Sequence, residues 1–176
     1  MSIILGVDPG SRKTGYGLIH QQGNRLDFLA CGIIRIDHLD FPDRLRTIFT
    51  SLQRIIEQHQ PETMVVEQVF MAKNASAALK LGQARGAIIT SGAVAELAIE
   101  EYSARQIKQA VVGIGSAQKA QVQMMVREIL QLSQTPQEDA ADALAAAVCH
   151  ANTQQALIRK SSSLRQIRLT TKGKTK

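Results

Sequence analysis

Apolar and polar positions along this chain fall into two rhythms, and their order predicts the architecture. Ile3, Ile4, Leu5 and Val7 form a short apolar run that ends at Asp8. A Pro9-Gly10 turn leads into Thr14-Gly15-Tyr16-Gly17-Leu18-Ile19, and Gln22-Gly23-Asn24 marks a second turn before the run from Leu26 to Ile36. Three consecutive strands joined by tight connections are expected. From Arg44 to His59, residues Leu45, Ile48, Phe49, Leu52, Ile55 and Ile56 recur at three- and four-residue steps, the period of an amphipathic helix. Pro61 ends it, and Thr63 to Glu67 reads as a buried strand.

Residues 74–94 are rich in Ala and Gly, with Leu79, Leu81, Ile88 and Ile89. A helix so poor in bulky side chains can approach another backbone closely, within the fold or across a dimer axis. Leu97 to Glu101 looks like a further short strand. Ser116 precedes a helix carrying Val122, Met125, Val126, Ile129 and Leu130, and a last helix runs from Pro136 to about Gln154. No internal repeat is visible. A meander followed by alternating elements predicts an α/β fold, a mixed five-stranded sheet with helices on both faces. The first strand lies centrally with the fourth beside it, so Asp8 and Glu67 project from neighbouring strands.

The totals narrow the class. At 176 residues, 44% hydrophobic and 20% charged, the chain is one globular domain. An aromatic share of 3% requires an aliphatic, alanine-packed core. No apolar run approaches the roughly 20 residues of a membrane helix, and the N-terminus reaches Asp8 too soon, without a basic leader, for a signal peptide. Cys31 and Cys149 are far apart and lack CxxC spacing, which suits a reducing compartment. A cytoplasmic protein is expected.

The net charge of +6 is unevenly spread. Arg159, Lys160, Arg165, Arg168, Lys172, Lys174 and Lys176 stand in the last stretch, from Ala156 onward, which contains no acid. Residues 1–155 therefore form the folded body, and 156–176 a basic, Ser/Thr-containing tail expected to be disordered and to strengthen nucleic-acid binding without reading sequence. Any polyanion site on the body must be a local patch.

Four carboxylates carry the candidate chemistry. Asp8 and Glu67 each close a buried apolar run, an expensive placement for a carboxylate unless a cation meets it. Asp139 and Asp142 stand three residues apart and share one helix face. Thr135-Pro136-Gln137-Glu138 fits an N-cap Thr, Pro at the first helical position and Glu at the third, so Glu138 is assigned to a capping box and left out of the site. Clustered hard oxygen ligands suit Mg²⁺ or Mn²⁺ and not Zn²⁺. Two such ions can clamp a phosphodiester in line, one activating water and the other stabilising the leaving oxygen.

Around them lie weaker signals. Phe70, in Glu67-Gln68-Val69-Phe70-Met71-Ala72-Lys73-Asn74, follows the Glu67 strand in a polar loop. It either folds back into the core or stacks on bases near a cut. Lys119 sits in the first turn of the helix expected to be capped by Ser116, where a cation opposes the dipole and is better explained by a phosphate. Lys108 is a second candidate, and Lys73 and Arg85 are further backbone contacts. Gly10 and Gly15 have Walker-like separation, but Tyr16-Gly17 stands where Lys-Ser/Thr is required, so a P-loop is rejected. Gly113-Ile114-Gly115 lacks the third glycine of a dinucleotide fingerprint. His20, His38, His59 and His150 show no ligand spacing.

The motif Gly6-Val7-Asp8-Pro9-Gly10-Ser11-Arg12-Lys13-Thr14-Gly15-Tyr16-Gly17 resembles the opening of the RuvC family of Holliday junction resolvases. So do Glu67 to Asn74, Leu81-Gly82-Gln83-Ala84-Arg85-Gly86, Val111-Val112-Gly113-Ile114-Gly115-Ser116-Ala117 and Asp139-Ala140-Ala141-Asp142-Ala143-Leu144-Ala145. The resemblance runs from about residue 3 to 155. It implies a ribonuclease-H-like fold, a homodimer and Mg²⁺-dependent cutting of four-way DNA junctions, with two ions per site held by Asp8, Glu67, Asp139 and Asp142. Some relatives carry His at the position of Asp142; this chain keeps Asp. By the same resemblance Phe70 contacts a base, and Lys108 and Lys119 assist at the scissile phosphate and DNA backbone. The expected products are paired nicks in strands of like polarity with 5′-phosphate and 3′-hydroxyl ends, and the RuvA–RuvB branch-migration machine is the implied partner.

Two other classes compete. An ATP-binding protein of the actin–hexokinase type shares an Asp-x-Gly loop like Asp8-Pro9-Gly10 but needs two such lobes. A non-enzymatic junction-binding module is expected to have lost one or more of the carboxylates, and all four are present.

Overall fold

Strands β1 (Ser2–Asp8), β2 (Lys13–Gln22) and β3 (Arg25–Arg35) form an antiparallel meander. Helix α1 (Phe41–His59) crosses to β4 (Thr63–Gln68), which pairs parallel with β1. Helix α2 (Ala75–Val94) crosses to β5 (Ala98–Ser103), parallel to β4. Helices α3 (Ala104–Val112), α4 (Lys119–Ile129) and α5 (Glu138–Lys172) follow. The computed structural model describes residues 2–68 and 74–172, with side chains through Ser161. The sheet order is β3-β2-β1-β4-β5, with β1 central and β4 beside it as the apolar pattern requires.

Alternation along the strands divides the core. Leu5, Val7, Met64 and Val66 face one side, where Ile48, Leu52 and Ile56 of α1 and Ala84 and Ile88 of α2 cover them. Ile4 and Val65 face the other side, against Ile107 and Val111 of α3, Val122 and Val126 of α4, and Leu144 to Val148 of α5. Asp8 is in phase with Ile4, and Glu67 with Val65. Both acids therefore point to the α3–α4–α5 side.

Small residues set how close α5 comes. A Cβ added at Gly6 would lie 1.9 Å from the Ala143 carbonyl oxygen, and one at Gly15 would lie 2.0 Å from that of Asp139. Neither strand residue can carry a side chain while the helix stays where it is. Ala140, Ala141, Ala143, Ala145, Ala146 and Ala147 are buried along the helix, which accounts for the low aromatic content.

Several boundaries differ from the sequence reading. The fifth strand runs from Ala98 to Ser103, and α3 follows it at once as a separate helix. Ser103 starts α3 with a reciprocal cap: its Oγ accepts from the Gln106 N–H (3.3 Å) and its own N–H donates to Gln106 Oε1 (2.9 Å). Helix α4 begins at Lys119 after Gln118, not at Ser116, and Gln121 accepts from the Gln118 N–H (2.8 Å). Helix α5 begins at Glu138, and the Asp139 N–H donates to the Gln137 side chain (2.9 Å). The capping box expected from Thr135 to Glu138 is therefore not formed.

At its far end α5 continues to Lys172, where the sequence reading stops the helix near Gln154 and expects disorder from 156. No Pro or Gly interrupts the sequence between Gln154 and Lys172, so nothing local breaks the hydrogen-bond ladder.

Candidate active site

The parallel pairing of β1 with β4 sets the first two carboxylates side by side. Val7 is in register with Val66, and the next residues on the two strands are Asp8 and Glu67. Both strands end here in the same direction, at the carboxyl edge of a parallel pair where α/β sheets bind their ligands. Asp8 is also in register with Gly15 of β2. Because Gly15 lies under the Asp139 carbonyl, the first turn of α5 is seated over the same edge.

The turn between β1 and β2 is fastened from both ends. Thr14, fully buried, donates through Oγ1 to the Gly10 carbonyl (3.1 Å). From α1 the Arg44 guanidinium donates to the carbonyls of Ser11 (3.0 Å), Asp37 (3.0 Å) and Leu39 (2.8 Å).

Asp8, Glu67 and Asp142 line one cleft of about 180 Å³ together with Lys108 of α3, Lys119 of α4, Ala104, Ile107 and Val122. Asp139 lines the adjoining cleft with Pro9, Gly10, Ser11, Arg12, Lys13, Asp37 and Leu81. Its charge still acts on Asp8. Among the described residues, no three His, Cys, Asp or Glu side chains close into a ready cage around one point. The three acids of the first cleft share it with two lysines.

The electrostatics follow from that crowding. Burial, then the negative charges of Glu67, Asp142 and Asp139, push the Asp8 carboxyl up to about 8, against a smaller opposing pull from Lys119. Burial raises Glu67 as well, with Asp142 adding to the effect and Lys119 and Lys108 opposing it. Asp142 is raised by burial and held back by Lys119. Lys119 in turn is raised, first by its hydrogen bond to Glu138. Its Nζ lies 2.5 Å from Glu138 Oε1 and 3.4 Å from Asp142 Oδ2.

A divalent cation fits this donor set. The oxygens are hard, anionic when deprotonated and crowded enough that protons bind Asp8 more tightly than an isolated carboxylate binds them. A cation shared among them would replace those protons and relieve the repulsion.

Of the other residues picked from the sequence, Phe70 and Lys73 lie outside the described residues. Arg85 is not brought to the cleft. It sits on α2 against the opposite face of the sheet and pairs with Glu101 of β5 (2.5 Å). No histidine lines either of these clefts, and buried His150 shares a hydrogen bond with the Tyr102 hydroxyl (3.0 Å). Sequence reasoning missed Arg12 and Lys13, a basic pair that flanks Asp139; their position directly after the Asp8-Pro9-Gly10 turn was the available signal.

Comparisons with known proteins identify the family. The family model described as crossover junction endodeoxyribonuclease RuvC matches residues 4–150. The protein of that name from Shewanella amazonensis is 60% identical over 158 residues, covering 90% of this chain and 91% of that one. Its counterpart from Saccharophagus degradans is 57% identical over 169 residues, covering 96% and 97%. Among solved structures, T. thermophilus RuvC in complex with Holliday junction substrate superposes with a TM-score of 0.83 at 30% identity, covering 89% of this chain and 96% of that chain. The yeast mitochondrial Holliday junction resolvase, at 14% identity and a TM-score of 0.70, shares the fold over 93% of this chain and 83% of its own. By the match over most of its length, and by relatives near 60% identity, this chain belongs to the RuvC family.

Proposed function

We propose that this chain is a structure-specific endodeoxyribonuclease that resolves four-way DNA junctions in recombination and repair. The carrying observation is the convergence of Asp8, Glu67 and Asp142 with Lys108 and Lys119 in one cleft, with Asp139 at its margin. Acids that bind metal and lysines that bind phosphate are what hydrolysis of a phosphodiester requires side by side. Family membership supports the same reading.

In this reading Asp8, Glu67, Asp139 and Asp142 are the metal ligands. They would hold Mg²⁺, two ions per site with Mn²⁺ able to substitute, which supply water activation and relief of charge on the departing oxygen. Lys119 and Lys108, which line the same cleft as the acids, hold the scissile phosphate. Phe70 contacts a base beside the cut, with Lys73 as an adjacent backbone contact. Arg85, engaged with Glu101, is better read as a structural cation than as a DNA contact.

The chain acts as a homodimer, since a two-fold axis puts one site on each of two strands of like polarity, matching the pseudo-symmetry of a junction. Helix α2 supports this, because Gly82 and Gly86 have open space above their Cα atoms. The basic stretch 156–176 adds affinity for DNA outside the nuclease body. Association with the RuvA–RuvB branch-migration complex, and a cytoplasmic location, accompany the family role. Among the described residues, no helix is long and apolar enough to cross a membrane.

The test is an end-labelled synthetic four-way junction incubated with Mg²⁺ beside a linear duplex of the same sequence. Paired, symmetric nicks on the branched substrate alone, with ends that ligase can seal, are expected. Equal cutting of both substrates, or none of either, would overturn the proposal.

A further inference from the structure

Glu138 stands apart from the acids of the cleft. It is the first residue of α5, but the capping duty at that helix start is taken by Gln137, whose side chain accepts from the Asp139 N–H. The Glu138 carboxylate instead reaches the Lys119 ammonium, on a different helix, at 2.5 Å. Asp142 is the second partner of that ammonium, at 3.4 Å, and is much less accessible: its side chain is 18% exposed against 49% for Glu138. Lys119 is itself 61% exposed. It therefore sits at the rim between an inner acid of the cleft and an outer acid facing water.

We propose that Glu138 is a positioning residue for Lys119, holding its ammonium at the rim in the place of a DNA phosphate and yielding it when the phosphate arrives. This rests on the reading of Lys119 as a phosphate contact. The chemistry of the pair suits a handover. An exposed ion pair contributes little to folding and exchanges readily with solvent or another anion. Lys119 occupies the first position of α4, where the helix dipole disfavours a cation, and the Glu138 carboxylate offsets that cost until a phosphate replaces it. Asp142 keeps the ammonium oriented toward the cleft after Glu138 lets go.

The experiment compares junction binding by the full chain, Glu138→Gln, Lys119→Ala and the double variant, with Ca²⁺ in place of Mg²⁺ and over a range of salt. Glu138→Gln is expected to tighten binding about two- to fivefold, the equivalent of one exposed ion pair. It is also expected to steepen the log–log salt dependence by up to about 1, because no freed carboxylate takes up a cation on binding. In Mg²⁺ the KM falls by the same factor while kcat does not rise. In the Lys119→Ala background the effect of Glu138→Gln shrinks to less than half. Weakened binding in Lys119→Ala with equal effects of Glu138→Gln in both backgrounds would mean that one carboxylate merely repels DNA at a distance; this proposal would fall and the phosphate role of Lys119 would stand. Unchanged binding in Lys119→Ala would overturn that role and the proposal together.

Discussion

Gly15 lies directly beneath Asp139: a Cβ built on it would stand only 2.0 Å from the Asp139 carbonyl oxygen. The same glycine is the cross-strand partner of Asp8. One residue without a side chain therefore meets an acid of the central strand on one side and the start of the helix bearing the acid pair on the other. Gly15→Ala is expected to push the first turn of α5 away from the sheet, costing about 1–3 kcal/mol of stability as overpacking does. Mg²⁺-dependent junction cutting falls by a larger factor than the stability loss alone explains. Urea melts and single-turnover cleavage check this; wild-type cleavage in a variant with lowered stability would separate the seam from the site.

The raised Asp8 carboxyl makes a pH prediction for the metal-free protein. Its folded value is about 8 against an ordinary 3.8, so between those limits the folded chain binds the proton more tightly than the unfolded chain. Stability is then highest at the acid end of that window and falls as pH rises through it. The upward shifts of Glu67 and Asp142 act in the same sense. At about 1.4 kcal/mol per pH unit for one group, a loss of a few kcal/mol between pH 5 and pH 8 is expected in EDTA. Asp8→Asn flattens the profile, and Mg²⁺ restores stability at pH 8. A profile that stays level from pH 5 to 8 would contradict the crowding of the acids.

Asp8→Asn also separates cutting from binding. Replacing the carboxylate by an amide of the same shape removes a metal ligand and one negative charge. Cleavage is expected to drop roughly a hundredfold or more, while junction affinity in low salt is kept or slightly improved. A fall in affinity proportional to the fall in cleavage would assign Asp8 a structural role.

Chain truncation after Arg159 tests the basic extension. The change removes Lys160, Arg165, Arg168, Lys172, Lys174 and Lys176. Each phosphate no longer neutralised by one of these side chains lowers the log–log salt slope by about 0.9. Weaker binding with a flatter slope, and metal-dependent cutting retained at low salt, are expected from filter binding and cleavage of the same junction. An unchanged slope would show that these residues do not touch the backbone.

The sheet was legible because its signal is local: apolar runs broken by Pro-Gly and Gly-Asn turns fix strand number, and an acid ending a buried run betrays its purpose by its cost. Asp8 and Glu67, placed at that cost, line one cleft with Asp142, while Asp139, its partner in the i,i+3 pair, lines a neighbouring one. What sequence could not give is set by contacts between distant residues. Glu138 satisfies the capping-box spacing, yet its carboxylate goes to Lys119, 19 residues earlier in the chain, because α4 passes alongside. Arg85 has the charge of a DNA contact but spends it on Glu101, a partner visible only once α2 lies on β5. The start of α4 was misplaced because Ser116 is a better cap by type than Gln118, while the backbone there is still in a turn, with the Ala117 N–H donating to Ile114.

The seam of Gly6 and Gly15 against Ala143 and Asp139 has a mechanical meaning. Where two main chains touch directly, there are no rotamers to adjust and no soft layer to absorb strain. The spacing between strand-borne and helix-borne acids is then governed by peptide geometry itself, with a tolerance set by bond lengths instead of by how side chains happen to settle. Such a joint transmits displacement without slack, which suits a chemistry sensitive to fractions of an ångström on a scaffold with scarcely any aromatic side chains.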